Sequence, residues 1–252
     1  MNRNSLSEGI ILKSQSVFEA DRKILFLSPD LGLTEAIVYG TGKGKSRLAS
    51  GTDLLSAGEL LLYLDPVRKQ YKVQDMTVKN LFLKIKQGLD KYYTASLWAE
   101  IIIKSLGGSE SSKVIYFLLQ EALELLEDLD SKEGMELLNL QFLWRYLVYQ
   151  GYTTELGHCS QCGREIAEKE PLYFSANYDP LVCRNCASDK SLFLNPGARR
   201  YLTHTIALPI KKVLGICLDK NALTGATEIL LLYLETIIEA PLLTRKIAGA
   251  YL

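Results

Sequence analysis

Apolar positions over the first eighty residues fall in short runs: Gly9–Lys13, Lys23–Ser28, Thr34–Tyr39, Glu59–Leu64 and Tyr71–Gln74. Polar turn chemistry such as Ser28-Pro29-Asp30-Leu31-Gly32 separates them. Five short strands so close together predict a small barrel, because closure leaves no edge exposed. The OB-fold is the commonest five-stranded barrel of this size and an SH3-like barrel competes with it; strand counting does not separate the two. From Val78 the period changes. Ile115, Leu118, Leu119, Ala122, Leu126 and Leu129 form one helical stripe, whereas Met135–Tyr149 is apolar on both sides and predicts a helix buried nearly all round. Gly107-Gly108-Ser109 and Asp130-Ser131 predict helix breaks. Asn195 followed by Pro196 predicts a capped helix start, and Thr224–Glu239 a last long helix that stops near Pro241. The expected fold class is α+β. An N-terminal five-stranded barrel, OB-fold or SH3-like, is expected over 1–78 and an all-α helical bundle over 79–252, with a four-cysteine zinc ribbon inserted at about 157–187.

Composition narrows the class further. The chain has 252 residues, 48% of them hydrophobic, and five cysteines, which excludes a disulfide scaffold, a disordered tail or a collagen-like chain. The apolar runs Ile101–Ile103 and Ile229–Leu234 are shorter than the ~20 residues of a membrane span, and MNRNSLSEGI lacks the apolar stretch of a secretory signal. A cytoplasmic protein is therefore expected, and there paired cysteines mean metal more often than disulfide. With 29 basic against 29 acidic side chains, the chain does not coat nucleic acid by bulk charge. Residues 1–80 carry 11 basic and 9 acidic groups, and 191–252 carry 7 and 4, so local basic faces remain.

The strongest chemical signal is Cys159-Ser-Gln-Cys162 with Cys183-Arg-Asn-Cys186, two C-x2-C pairs separated by 20 residues. Two thiolates three residues apart close a tight turn on one Zn²⁺, and two such turns complete a tetrahedron. Gly163 suits the unusual backbone angle such a turn demands after its second cysteine. Four thiolates leave no open coordination position, so one structural zinc is expected; a redox pair or a site without metal is the competing reading. His158 is expected to be solvated and Cys217 to be a buried core thiol.

Catalytic signatures fail. Gly40–Ser46 resembles a phosphate-binding loop, but with four residues between its glycines the first would fall at 39, which is Tyr39, and Gly40 leaves only three. The deaminase pattern is absent, because Ser160 stands where H-x-E needs its acid and Pro180 is not adjacent to Cys183. Neither His158 nor His204 sits in a nucleophile motif, and no enzyme is expected. The acids from Glu121 through Glu136 read as a solvated helix face.

What remains is Lys43-Gly-Lys-Ser-Arg47, three cations on a glycine-rich connection between barrel strands, suited to phosphate contact. Tyr39 and Tyr71 are candidates for base stacking. Arg22, Lys23, Arg68 and Lys69 are weaker nucleic-acid candidates. Arg199 and Arg200 are candidates for the basic rim of a groove that takes an acidic partner tail. An RNA-binding protein or an adaptor without annealing activity is the alternative reading.

Glu8-Gly-Ile-Ile-Leu12, Glu19-Ala-Asp-Arg22, Asp30-Leu-Gly32 and Gly40-Thr-Gly-Lys-Gly-Lys-Ser-Arg47 occur in order ahead of a helical region with the C-x2-C…C-x2-C insert. Together they resemble the bacterial RecO family of DNA repair and recombination mediators. The resemblance covers almost the whole chain. It implies an OB-fold, a helical domain and a zinc-binding insert. It further implies binding to single- and double-stranded DNA, annealing of complementary strands, and partnership with RecR and single-stranded DNA-binding protein in loading RecA onto coated strands. The loop at 43–47 matches the family's loop after the third barrel strand. Asn177–Val182 departs from a Gly-Gly pair common in the family, which predicts a differently shaped ribbon hairpin.

Overall fold

Ile24 and Phe26, Ala36 and Val38, and Leu60 and Leu62 lie two residues apart on their strands, and that spacing turns each pair toward one shared interior. The computed structural model describes residues 3–17, 20–41, 47–106, 111–152, 155–175, 181–188 and 192–248. The strands are β1 (Asn4–Val17), β2 (Asp21–Ser28), β3 (Gly32–Val38), β4 (Ala57–Asp65) and β5 (Gln70–Asn80). They close in the order β1-β2-β3-β5-β4, with β3 parallel to β5 over Ala36–Val38 and the other pairs antiparallel. This is OB connectivity, and it settles the choice that strand counting left open. Bulges at Leu12 in β1 and at Gln74 and Lys79 in β5, opposite Leu61/Leu62 and Ala57/Gly58 of β4, bend the sheet into closure. At Gly58 a side chain could not be accommodated: a Cβ there would lie 2.3 Å from the Thr77 carbonyl oxygen. Tyr71, a stacking candidate, is half-buried and packs against the barrel core.

A short α1 (Arg47–Gly51) connects β3 to β4, and α2 (Leu83–Gln87), α3 (Leu89–Ser105) and α4 (Ser112–Asp128) follow β5. The chain forms two compact units, Met1–Glu127 and Asp128–Ala250, so α2 and α3 cluster with the barrel. Ile115, Leu118, Leu119, Ala122 and Leu126 form the buried stripe of α4, as their spacing predicts. Most of the acidic run is exposed or half-exposed. Glu127 has a structural task there, its carboxylate accepting the backbone N–H groups of Lys84 at 3.0 Å and Ile85 at 2.9 Å in the first turn of α2.

The second unit is built on α5 (Lys132–Tyr149), in which every residue from Leu137 through Leu147 is buried. Ser131 caps it, its Oγ accepting from Gly134 N. After it come β6 (Leu172–Phe174), β7 (Leu181–Val182) and β8 (Phe193–Leu194), a sheet in the order β7-β6-β8. Then follow α6 (Pro196–Thr205), α7 (Ile210–Val213), α8 (Lys220–Ile238) and α9 (Leu243–Ala248). Asn195 caps α6, its Oδ1 accepting from Gly197 N at 2.7 Å, with Pro196 in the first turn. Asp219 caps α8, which starts four residues ahead of its predicted onset at Thr224. By length and composition α8 could cross a membrane, a property that the apolar run lengths concealed. It buries Ala222, Ala226, Ile229, Leu230 and Leu234, and Glu228 and Glu235 on it pair with Arg245, as in a core helix. Cys217 corrects its expectation: it is exposed on the turn between α7 and α8.

Candidate functional site

In the insert, two tight turns carry the cysteines. Gly163 N–H donates to Cys159 O at 2.9 Å and Cys186 N–H to Cys183 O at 3.1 Å, and each turn brings its two thiols to one side. Gly163 has a φ of 70°, the left-handed angle expected of a residue that ends such a turn. The turns are joined by Ser160 N–H donating to Leu181 O at 3.2 Å and Cys183 N–H donating to Cys159 Sγ at 3.2 Å. The four Sγ atoms lie within 4.8 Å of one another, so Cys159, Cys162, Cys183 and Cys186 could hold a metal ion as a closed four-thiolate set.

The electrostatics of the cluster fit a cation. Burial opposes ionisation of Cys183, but the N–H groups of Cys186 and Asn185, with the Arg164 guanidinium, bring its thiol down to about 6. Cys159 is lowered in the same way: burial again opposes, and the N–H groups of Cys183 and Cys162 prevail. Cys186 moves in the opposite direction, up to about 12, because the Cys183 and Cys162 thiols crowd it and burial adds to the effect. A divalent ion bound there would resolve this frustration by taking all four as thiolates. Arg164, which also pairs with Glu170 at 3.0 Å, has no motif to mark it in the sequence. His158 is exposed beside Glu155 at 2.9 Å and lies outside the donor set. Residues 176–180 lie outside the described residues, and with them most of the altered hairpin expected at Asn177–Val182.

Arg199 corrects its assignment to a groove rim. It is 5% exposed, and its guanidinium donates to the carbonyls of Leu156, Ile166 and Ala167 at 3.4, 3.3 and 2.6 Å, fastening the insert to α6. Arg200 is exposed and pairs with Glu168 at 2.9 Å.

In the barrel, Lys43 and Lys45 lie outside the described residues, and Arg47 is placed only as the opening residue of α1. Arg22 is tied to Asp53 at 2.6 Å and to Ala49 O at 2.8 Å, and Lys23 to Glu35 at 2.8 Å. Arg68 and Lys69 stand exposed in the β4–β5 turn, one of the loops through which OB barrels take ligands. Asp65 shapes that turn, its Oδ1 accepting from the N–H groups of Val67 and Arg68 at 3.0 Å each. The Lys72 ammonium, 2.7 Å away, and then the Arg68 N–H hold the Asp65 carboxyl down at about 2. Lys72 lies 5.8 Å from the ring centre of Tyr39 and 5.9 Å from that of Tyr63. Tyr39, 45% exposed, therefore stands beside a cation, the surface on which a base can stack. Lys72 and Tyr63 escape a sequence reading because they lie far from Tyr39 in the chain; the parallel β3–β5 pairing brings Lys72 beside Tyr39, and the antiparallel β4–β5 pairing sets Tyr63 opposite Lys72.

The family model described as Recombination protein O N terminal matches residues 1–82, and that described as Recombination protein O C terminal matches 86–246. Among similar proteins, DNA repair protein RecO of Clostridium acetobutylicum is 25% identical over 225 residues, 89% of this chain and 88% of that protein. The RecO of Caldanaerobacter subterraneus subsp. tengcongensis is 26% identical over 236 residues, 92% of each, and that of Clostridium perfringens 28% identical over 202 residues, 79% of this chain and 80% of that one. The chain belongs to the RecO family.

Proposed function

We propose that this RecO-family chain is a DNA repair and recombination mediator. It binds single- and double-stranded DNA through its barrel, anneals complementary single strands, and helps load recombinase onto strands coated by single-stranded DNA-binding protein, with RecR as partner in the RecF pathway. The observation that carries this reading is the family match over both parts of the chain, on a barrel of OB connectivity whose β4–β5 turn exposes Arg68 and Lys69. A barrel that holds a strand by its phosphates leaves the bases free to pair, which is what annealing needs. The loop at 43–47 adds phosphate contacts in this reading, and Arg200 is the remaining basic candidate for the acidic tail of a partner. The four cysteines hold one structural zinc; with its shell filled by thiolates, the ion supplies folding energy and no open position for chemistry. The protein works in the cytoplasm, associated with the nucleoid, and turns over no substrate.

The test is annealing of two complementary fluorescent strands, each coated beforehand with the cognate single-stranded DNA-binding protein. Acceleration without any nucleotide is expected. Tight binding to coated strands without acceleration would reduce the protein to a scaffold, and an RNA preference or indifference to nucleic acid would overturn the reading.

A further inference from the structure

Beyond Ile11, whose N–H donates to Ser56 O and whose carbonyl accepts from Leu55 N, β1 has no strand partner on one side among the described residues. Its ladder with β4 ends at Ile10↔Ala57, whereas its ladder with β2 runs on to Val17↔Asp21. Among the described residues a backbone edge is left without a strand partner from Lys13 onward, and an unpaired edge offers N–H and C=O groups to a ligand. Beside this edge lies an open cavity of about 550 Å³, within the range of small-molecule sites. Lys13, Arg22, Lys86, Tyr92 and Asp53 line it. Three cations face one carboxylate, and that carboxylate is already engaged, because Asp53 pairs with Arg22. Toward the described residues, Arg22 makes its bonds to Ala49 O and Asp53 from Nη1. Lys86 reaches in from α2 with its Nζ 3.0 Å from Ser56 Oγ, and burial lowers its pKa despite the nearby charges of Asp53 and Glu127. A half-buried ammonium in a cavity of net positive charge favours an anionic ligand.

We propose that this cavity is a subsite for one nucleotide of a single DNA strand, its phosphodiester held by Lys13, Arg22 and Lys86 and its base laid against Tyr92. The inference rests on the reading of the chain as a strand binder and adds to it a place on the face formed by β1, α2 and α3, apart from the β4–β5 turn.

The experiment compares the full chain with Lys86→Met, which keeps the aliphatic stem, and with Lys13→Ala/Lys86→Met. Affinity for a fluorescent oligothymidylate is followed across salt concentration, and backbone amide shifts of residues 13–16 are followed on addition of free thymidine 5′-monophosphate. Losing two phosphate contacts should flatten the salt slope by about 1.4, at ~0.7 per contact. A bromodeoxyuridine-substituted strand should cross-link to Tyr92 in the unaltered chain, a readout that does not depend on any variant folding. Unchanged slope with cross-links elsewhere would overturn the subsite and leave strand binding intact. No strand binding, but amide shifts with the free nucleotide that vanish in Lys86→Met, would support the cavity's chemistry while removing the proposed function. Response to neither ligand would overturn both.

Discussion

Arg22 in the barrel unit and Arg145 and Arg199 in the second unit are held in opposite ways. In the barrel unit, Arg22 is held at the surface by one carboxylate and one carbonyl. In the second unit, Arg145 and Arg199 are each about 5% exposed and caged by carbonyls: Arg145 by those of Thr205 and Leu208, Arg199 by those of Leu156, Ile166 and Ala167. A surface arginine keeps most of its hydration and can exchange its partner for a phosphate at small cost. A caged one cannot, because leaving would strand a buried charge or its acceptors. Arg22 is thus available for recognition, while Arg145 and Arg199 hold elements of the second unit together.

The largest effect that tests this contrast is removal of the metal. A four-thiolate zinc site in a small ribbon contributes about 10–16 kcal/mol of apparent binding energy at neutral pH. Chelation, or Cys183→Ser, should therefore collapse the dispersion of amide signals from 155–175 and 181–188 while those of the barrel strands persist. Native mass spectrometry should find one ion per chain before treatment and none after. A ribbon that stays folded without metal would mean that Arg199 and the sheet suffice to hold it.

The next effect compares one arginine from each unit. Arg199→Ala strands carbonyl acceptors in a buried site and should cost about 3 kcal/mol in urea unfolding. Arg22→Ala removes an exposed pair and should cost about 1 kcal/mol or less. Equal losses would erase the distinction drawn here between recognising and caged cations.

That distinction was not legible in the sequence, where Arg22 and Arg199 look alike as members of basic pairs. The barrel, the all-round burial of α5, the stripe of α4 and the Asn195 cap were legible, because each is a local pattern of period or capping chemistry. The cysteine quartet was legible because its ligands come as two local pairs. Elements set by tertiary context were not: α1, the short strand β8 and the α9 helix carry little periodicity of their own. Arg145 and Arg199 could be recognised only once the carbonyls around them had been brought together from distant segments. Cys217 misled for a related reason, since the apolar letters around it belong to a turn that faces water.

The smallest effect sharpens the comparison from the barrel side. The Asp65 side chain is 14% exposed, and its carboxyl, normally near 3.8, is held at about 2 by Lys72 and by the N–H groups of the turn. A carboxyl whose pKa falls on folding contributes its stabilisation fully above its ordinary pKa and loses it as pH drops through the folded value. The β4–β5 turn should therefore keep its shape down to about pH 4 and loosen between there and pH 2. Amide exchange at Val67 and Arg68, which donate to Asp65, reports on this directly. In Asp65→Asn the same two amides should exchange faster at neutral pH and show no step in the acid range. If the step survives in that variant, the turn is held by strand pairing alone. The exposed cations Arg68 and Lys69 would then owe their placement to the barrel ladder, not to the pair formed by Asp65 and Lys72.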